Sequence, residues 1–320
     1  MGKPKKKLKK QVKKLKRKVK ALKAELKGQP TLPAISPLAP KSGFPAFPEI
    51  GGVTFAAGAA GVKYQGRDDV MLAKIAPNSA VAGVFTRSAT RSAPVRDCQA
   101  KLADLQKTPT VPTALGVVVN SGNSNAFTGK AGDNSVAAVC ATAATVLKTD
   151  AANILTASTG VIGEPLPHDC ITDILTYLSQ NLSPASGPAA AAAIMTTDTF
   201  TKGATGTVEI DGKQIQIAGF AKGSGMIAPD MATMLVYIFT DANITSTALQ
   251  QTLSTENIKT FNAITVDSDT STSDTLLTFA TGAAGNTQIT DANSPGGQTF
   301  AAALHAVMRD LAHLVVKDGE

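Results

Sequence analysis

From Gly51 onward the chain alternates short runs of β-branched and aliphatic residues with Ala-rich stretches of helical period. That alternation narrows the fold to a layered α/β or α+β arrangement. The spacing predicts strands over 80–86, 115–119, 206–210 and 213–218. The last two form a hairpin around Asp211-Gly212, a dipeptide that accepts the positive φ values of a tight β-turn. Met234-Leu235-Val236-Tyr237-Ile238-Phe239 reads as a buried strand. Helices are expected over 135–148, 169–180, 186–195, 246–254 and 298–315, and no internal repeat is visible. Trp is absent and only 4% of residues are aromatic, so the core is expected to be built from Ala, Val, Ile and Leu.

The segment ahead of this body obeys different rules. Of the 31 Lys and Arg, 14 fall in residues 1–28 against one acid, Glu25. The remainder carries 17 basic and 23 acidic residues, so a mildly acidic body bears a strongly basic extension. Leu8, Val12, Leu15, Val19, Leu22 and Leu26 follow alternating steps of four and three, a heptad seam that predicts an amphipathic helix over 5–27. Its lysines disfavour self-pairing, which leaves a solvated helix or contact with an acidic partner as open readings. Residues 29–50, with six prolines from Pro30 to Pro48, read as a proline-rich linker, and residues 51–320 as the main domain.

Several chemistries lack their residues. Cys98, Cys140 and Cys170 are odd in number and show no CxxC spacing, which fits inert thiols in a reducing compartment. No uninterrupted apolar run reaches the roughly 18 residues that span a bilayer, so a cytoplasmic protein without a membrane partner is expected. Gly223-Ser224-Gly225-Met226-Ile227-Ala228 imitates a dinucleotide fingerprint, but Pro229 and the strand at 234–239 stand where a helix must open. Gly122 to Gly129-Lys130 imitates a phosphate loop with the wrong spacing, and Ala131 replaces its hydroxyl. Only His168, His305 and His313 exist, none beside a Ser-containing Gly elbow, and no metal-ligand spacing is present.

An enzyme built from this chain therefore needs a nucleophile that works without His. A Thr hydroxyl meets that need when its own α-amine is the base, because the amine of a chain terminus ordinarily titrates near 7.7–8.0. Such a Thr must first become a terminus, by attack of its hydroxyl on the preceding carbonyl and hydrolysis of the resulting ester. The stretch from Ala221 through Gly223-Ser224-Gly225 to Ala232-Thr233 offers a Gly-rich approach and a small residue before a Thr. Spacing alone does not single Thr233 out from the other threonines.

At this stretch the sequence resembles the ornithine acetyltransferase family, the bifunctional glutamate N-acetyltransferases of arginine biosynthesis. The resemblance extends over about residues 36–320. It runs through Ala57-Gly58 with Gly61-Val62-Lys63, Ala82-Gly83-Val84-Phe85-Thr86, Ser92-Ala93-Pro94-Val95 and Val118-Val119-Asn120-Ser121-Gly122-Asn123-Ser124-Asn125-Ala126. It continues through Ala157-Ser158-Thr159-Gly160-Val161-Ile162-Gly163, Thr196-Thr197-Asp198-Thr199, Thr265-Val266-Asp267-Ser268-Asp269-Thr270-Ser271-Thr272 and Val316-Lys317-Asp318-Gly319-Glu320. Asp230 stands where the family often has Asn, and Ser124 where Ala is usual.

The resemblance implies an α/β layered sandwich of the ornithine acetyltransferase/DmpA-like type, preceded here by the basic amphipathic helix. It implies self-cleavage between Ala232 and Thr233, with Thr233 as nucleophile and Thr159 and Gly160 as oxyanion hole. Thr196, Lys222, Thr233 and Glu320 match substrate-binding positions. The implied reaction passes acetyl from N-acetylornithine to Thr233 and then to glutamate, without cofactor or metal, and some members also accept acetyl-CoA as donor. A heterotetramer of two α and two β chains is implied, and the domain is expected to be shortened at its C-terminus relative to the family. A Thr-nucleophile amidase or aminopeptidase of related fold, and an inactive truncated fragment, stay open as alternatives.

Overall fold

The computed structural model describes residues 34–228 and 234–319. The predicted basic helix over 5–27, and Ala232, Thr233 and Glu320, lie outside the described residues. Ser36–Glu320 form one compact unit.

Among the described residues nine strands form two sheets. The first has the order β1 (Val53–Gly58), β2 (Val70–Ile75), β4 (Leu115–Asn123), β5 (Ile154–Val161). The second has the order β3 (Ala80–Phe85), β9 (Thr275–Ala280), β8 (Leu235–Thr240), β7 (Lys213–Lys222), β6 (Lys202–Ile210). Each sheet contains one parallel pair, β4–β5 and β8–β9, and a parallel pair needs a crossover. The β4–β5 crossover runs through α2 (Gly129–Leu147) and that of β8–β9 through α5 (Ser246–Ile258). The remaining helices are α1 (Ala93–Leu105), α3 (His168–Gln180), α4 (Gly187–Ala193) and α6 (Pro295–Lys317).

Three apolar cores separate these layers. One joins the first sheet to α2 and α3 through Val118, Val139, Leu147, Ile154, Ile171 and Leu175. Another joins the second sheet to α5 and α6 through Ile217, Val236, Leu249, Leu253, Leu304 and Leu311. The third lies between the sheets and corrects the expectation of a core without aromatics. Phe55, Phe220, Tyr237, Phe239 and Phe279 are buried there, with Phe55 edge-on to Phe239 at 4.9 Å between centroids. These rings fill the space between the two sheets, and each Phe buries about 150–250 Å². Phe44 and Phe47, within the proline-rich stretch, pack against this same core.

By length and composition α6 alone among the described residues could cross a bilayer. Here Phe300, Leu304, Met308, Leu311 and Val315 bury one face in the core while Arg309 and Asp310 remain on the exposed face, which is the pattern of an amphipathic core helix.

The hairpin forms where expected. Ile210 pairs with Lys213, and Asp211 (φ 52°) and Gly212 (φ 72°) both take positive φ, as a two-residue turn requires. A second glycine is dictated by close approach: a Cβ on Gly160 (φ 130°) would stand 2.3 Å from the Gly122 carbonyl carbon on the neighbouring strand. Gly160→Ala is therefore expected to wedge β4 from β5 and lower stability by about 1–3 kcal/mol, the usual range for overpacking. A shift of the urea midpoint checks it.

Candidate active site

The same ends of three strands and a facing loop gather the polar residues. On the second sheet Lys222 ends β7, paired in register with Leu235 at the start of β8, and Leu235 pairs with Thr275 at the start of β9. On the first sheet Thr159 and Gly160 end β5 beside Ser121 and Gly122 of β4. The Lys222 Nζ donates to the Thr159 hydroxyl at 3.3 Å, bridging the two sheets. Both side chains are buried. A cleft of about 250 Å³ is lined by Lys63, Gly122, Asn123, Val161 and Glu164, of which Gly122 pairs in register with Gly160 and Val161 follows Gly160.

A buried charge cluster sets the positions of the other candidates. The Lys202 ammonium lies 2.6 Å from Asp198 Oδ1 and 2.5 Å from Asp318 Oδ2, with all three side chains fully shielded from solvent. The Asp198 carboxylate also accepts the N–H of Gly223 at 2.6 Å on Oδ1 and that of Thr196 at 3.1 Å on Oδ2. Asp318 accepts the Thr199 N–H at 2.9 Å and the Thr199 hydroxyl. Burial pushes the Asp198 pKa up. The Lys222 and Lys202 charges, with the Gly223 N–H and the bond from Lys202, outweigh that and hold it at about 2. Asp198 is thus an ionised hub that fixes Thr196 on one side and the residue after Lys222 on the other.

The Gly-rich approach is tied down separately. Asp267 accepts the N–H of Met226 and, at 2.8 Å, that of Ile227, while the Ile227 carbonyl accepts from the Val266 N–H and the Thr265 hydroxyl. Met226 takes φ 56°, so a non-glycine residue is held in the left-handed region by these bonds. Burial acts to raise the Asp267 carboxyl, but the N–H groups of Asp269, Met226 and Ile227 hold it below its ordinary value.

Of the residues singled out by sequence, Thr159, Gly160 and Lys222 are brought together, and Thr196 is linked to Lys222 through Asp198 and Gly223. Met234 and Gly319 are the described neighbours of Thr233 and Glu320. Sequence reasoning missed Lys202 and gave no role to Asp198, Asp267 or Asp318. The available signal was acids and a lysine embedded in otherwise apolar or Thr-rich stretches of a body with few charges.

The Ser135 hydroxyl lies 3.0 Å from His168 Nδ1 but donates to the Ala131 carbonyl of its own helix, so its proton is already engaged. His305 pairs with Glu256 at 2.7 Å. Burial pushes the Cys98 thiol up to about 12, as for an inert cysteine. Among the described residues no group of three or more His, Cys, Asp or Glu could hold a metal ion.

The ArgJ family profile matches residues 54–320. The arginine biosynthesis bifunctional protein ArgJ of Ruegeria pomeroyi is 59% identical over 286 residues, covering 89% of this chain and 67% of that protein. The ArgJ of Nitrobacter winogradskyi is 52% identical over 290 residues, covering 90% and 69%. Among solved structures, the ornithine acetyltransferase of Mycobacterium tuberculosis complexed with ornithine is 33% identical, with a TM-score of 0.49 over 57% of this chain and 94% of that one. The l-aminopeptidase d-Ala-esterase/amidase of Ochrobactrum anthropi is 11% identical, with a TM-score of 0.48 over 85% of each chain. A family match across most of the body, with relatives more than half identical, places the chain in the ArgJ family of bifunctional arginine-biosynthesis enzymes.

Proposed function

We propose that this chain moves acetyl from N-acetylornithine to glutamate through an ester on Thr233, after cutting its own backbone between Ala232 and Thr233. In the free chain the residue's own α-amine takes the hydroxyl proton as the oxygen attacks the acetyl carbonyl. The tetrahedral oxyanion is met by the Thr159 hydroxyl and the Gly160 N–H, donors of a kind that lower a barrier by about 3 kcal/mol each. Ornithine leaves, glutamate enters, and its amine takes the acetyl group in the reverse sequence. The ester conserves the acyl energy, so no cofactor or metal enters the scheme. Acetyl-CoA serves as a second donor in the bifunctional reading.

The observation that carries this reading is the 3.3 Å contact between the Lys222 ammonium and the Thr159 hydroxyl. It puts a positive charge against the oxyanion donor, at the end of the strand that leads toward residue 233. Lys222 also suits the α-carboxylate that N-acetylornithine and glutamate share, Thr196 supports that end, and Glu320 suits the free amine of ornithine. The division into a basic extension over 1–28, a proline-rich linker over 29–50 and a catalytic domain over 51–320, cytoplasmic location, and assembly of two cleaved pairs belong to the same proposal.

Two measurements test it. Intact mass of the purified protein is expected to show two polypeptides meeting at 232/233, and a single uncut chain argues against it. With N-acetylornithine, ornithine release is expected to depend on glutamate. Release at the same rate without glutamate identifies an amidase instead.

A further inference from the structure

Lys222 is not the only cation at the ledge where β4 and β5 end. Ser121 and Thr159 are register partners, and alternation puts them on the same face as Val119 and Ala157, whose side chains enter the core between the sheets. Lys222 meets this ledge at Thr159, 3.3 Å from the hydroxyl. Arg67 meets it at Ser121, with Nη2 3.5 Å from that hydroxyl and also bonded to the Met195 carbonyl, next to Thr196. Two positive charges thus flank one ledge, one at each strand.

The segment bearing Arg67 is firmly held. The Asp69 carboxylate accepts the N–H groups of Ala60 and Val62 at 2.7 and 2.8 Å, and the Asp69 carbonyl accepts from the Ser121 N–H at 2.9 Å. The guanidinium carbon lies 4.2 Å from the centroid of the Tyr64 ring, which orients the guanidinium plane. Its Nη2 and Nε donate to neutral oxygens, Nη1 has no hydrogen-bond partner among the described residues, and no carboxylate pairs with it there. Elsewhere in the body Arg96, Lys101 and Lys202 each meet an aspartate. Holding the Met195 carbonyl takes one N–H, which a lysine could also give. A fixed, uncompensated guanidinium with an open edge suits a carboxylate brought from outside.

Distance decides which carboxylate. Neighbouring strands lie about 4.8 Å apart, so Lys222 touches the Thr159 hydroxyl while Arg67 stands one strand beyond it. An acceptor amine must attack an acetyl group held at Thr159 and Gly160. The carboxylate on the same carbon as that amine falls to Lys222, and a side-chain carboxylate reaches the next strand. We propose that Arg67 binds the side-chain carboxylate of the acceptor and thereby selects glutamate, an inference that rests on the acetyl-transfer reading. Ornithine has an ammonium at that end of its side chain and gains nothing from Arg67. The cation therefore favours replacement of ornithine by glutamate between the two halves of the reaction.

Arg67→Met removes the charge and keeps an aliphatic stem beside Tyr64, whereas Arg67→Lys keeps a charge. Each full chain is assayed for acetyl transfer from N-acetylornithine to glutamate and to glutamine, the uncharged isostere. The quantity read is the ratio of the two kcat/KM values, which does not depend on how much of a variant is folded. The expected result in Arg67→Met is a glutamate preference lower by roughly tenfold or more, carried by the KM for glutamate, with part of it kept in Arg67→Lys. A ratio within about threefold of wild type overturns the assignment, since equal losses with both acceptors mean that Arg67 only holds Met195 in place. A wild type whose ornithine release ignores glutamate sinks the acetyl-transfer reading itself. Calorimetry then decides on Arg67 alone: glutamate must bind the wild type more tightly than glutamine does, and Arg67→Met must erase that difference.

Discussion

Thr233→Ala is expected to leave the chain as one polypeptide and to reduce acetyl transfer to background. Both losses have one cause. Self-cleavage needs an oxygen on residue 233 to attack the Ala232 carbonyl, and the transfer reaction needs the same oxygen as acyl carrier. An alanine has neither, whereas Thr233→Ser keeps the oxygen and is expected to cut and to turn over. Two of the three histidines are engaged elsewhere, His168 with Ser135 and His305 with Glu256, and in this scheme the α-amine created by the cut, not a His, is the base of the threonine. Intact mass and acetyl transfer from N-acetylornithine to glutamate, read on the same preparation, check both halves. An alanine variant that runs as two chains split at 232/233 would falsify the nucleophile assignment outright.

How far the sequence reached can be seen element by element. The β6–β7 hairpin was legible because Asp211-Gly212 is a local signal, with both residues at positive φ. α3 was legible because His168–Gln180 carries a clear apolar stripe at Ile171, Leu175 and Leu178. β1, β2, β5 and β9 were not, since their largely buried runs lack the alternation that marks a half-exposed strand and are shorter or more polar than the unbroken apolar runs of β4 and β8. α1 was missed although Pro94 sits in its first turn, a start signal that polar neighbours obscured. Thr159, Gly160 and Lys222 were singled out through ordered motifs rather than through spacing. The charge cluster was not, because Lys202 and Asp318 stand 116 positions apart, and no local pattern encodes that meeting.

That cluster makes the second large prediction. Lys202→Met is expected to cost about 3–5 kcal/mol, the range for removing one partner of a buried ion pair, because it leaves Asp198 and Asp318 facing each other without their shared cation. The sign of the pH dependence separates charge from packing. In the wild type Asp198 titrates at about 2, below its ordinary 3.8. Its contribution, roughly 2 kcal/mol by linkage, is therefore complete above pH 3.8 and lost as pH falls toward 2. In the variant Asp198 keeps the Lys222 charge but loses that of Lys202 and its hydrogen bond, so its carboxyl is expected to rise from about 2 toward its ordinary value, and less stability is lost on acidification. The gap between the two proteins should narrow on acidification, and Asp318→Asn added to Lys202→Met should recover part of the loss at neutral pH. Urea midpoints at constant m give these differences directly. A gap that stays the same from pH 5 to pH 2 would show that Lys202 acts through its aliphatic stem. In that case Asp198 would keep Thr196 and Gly223 in place without any help from the cation.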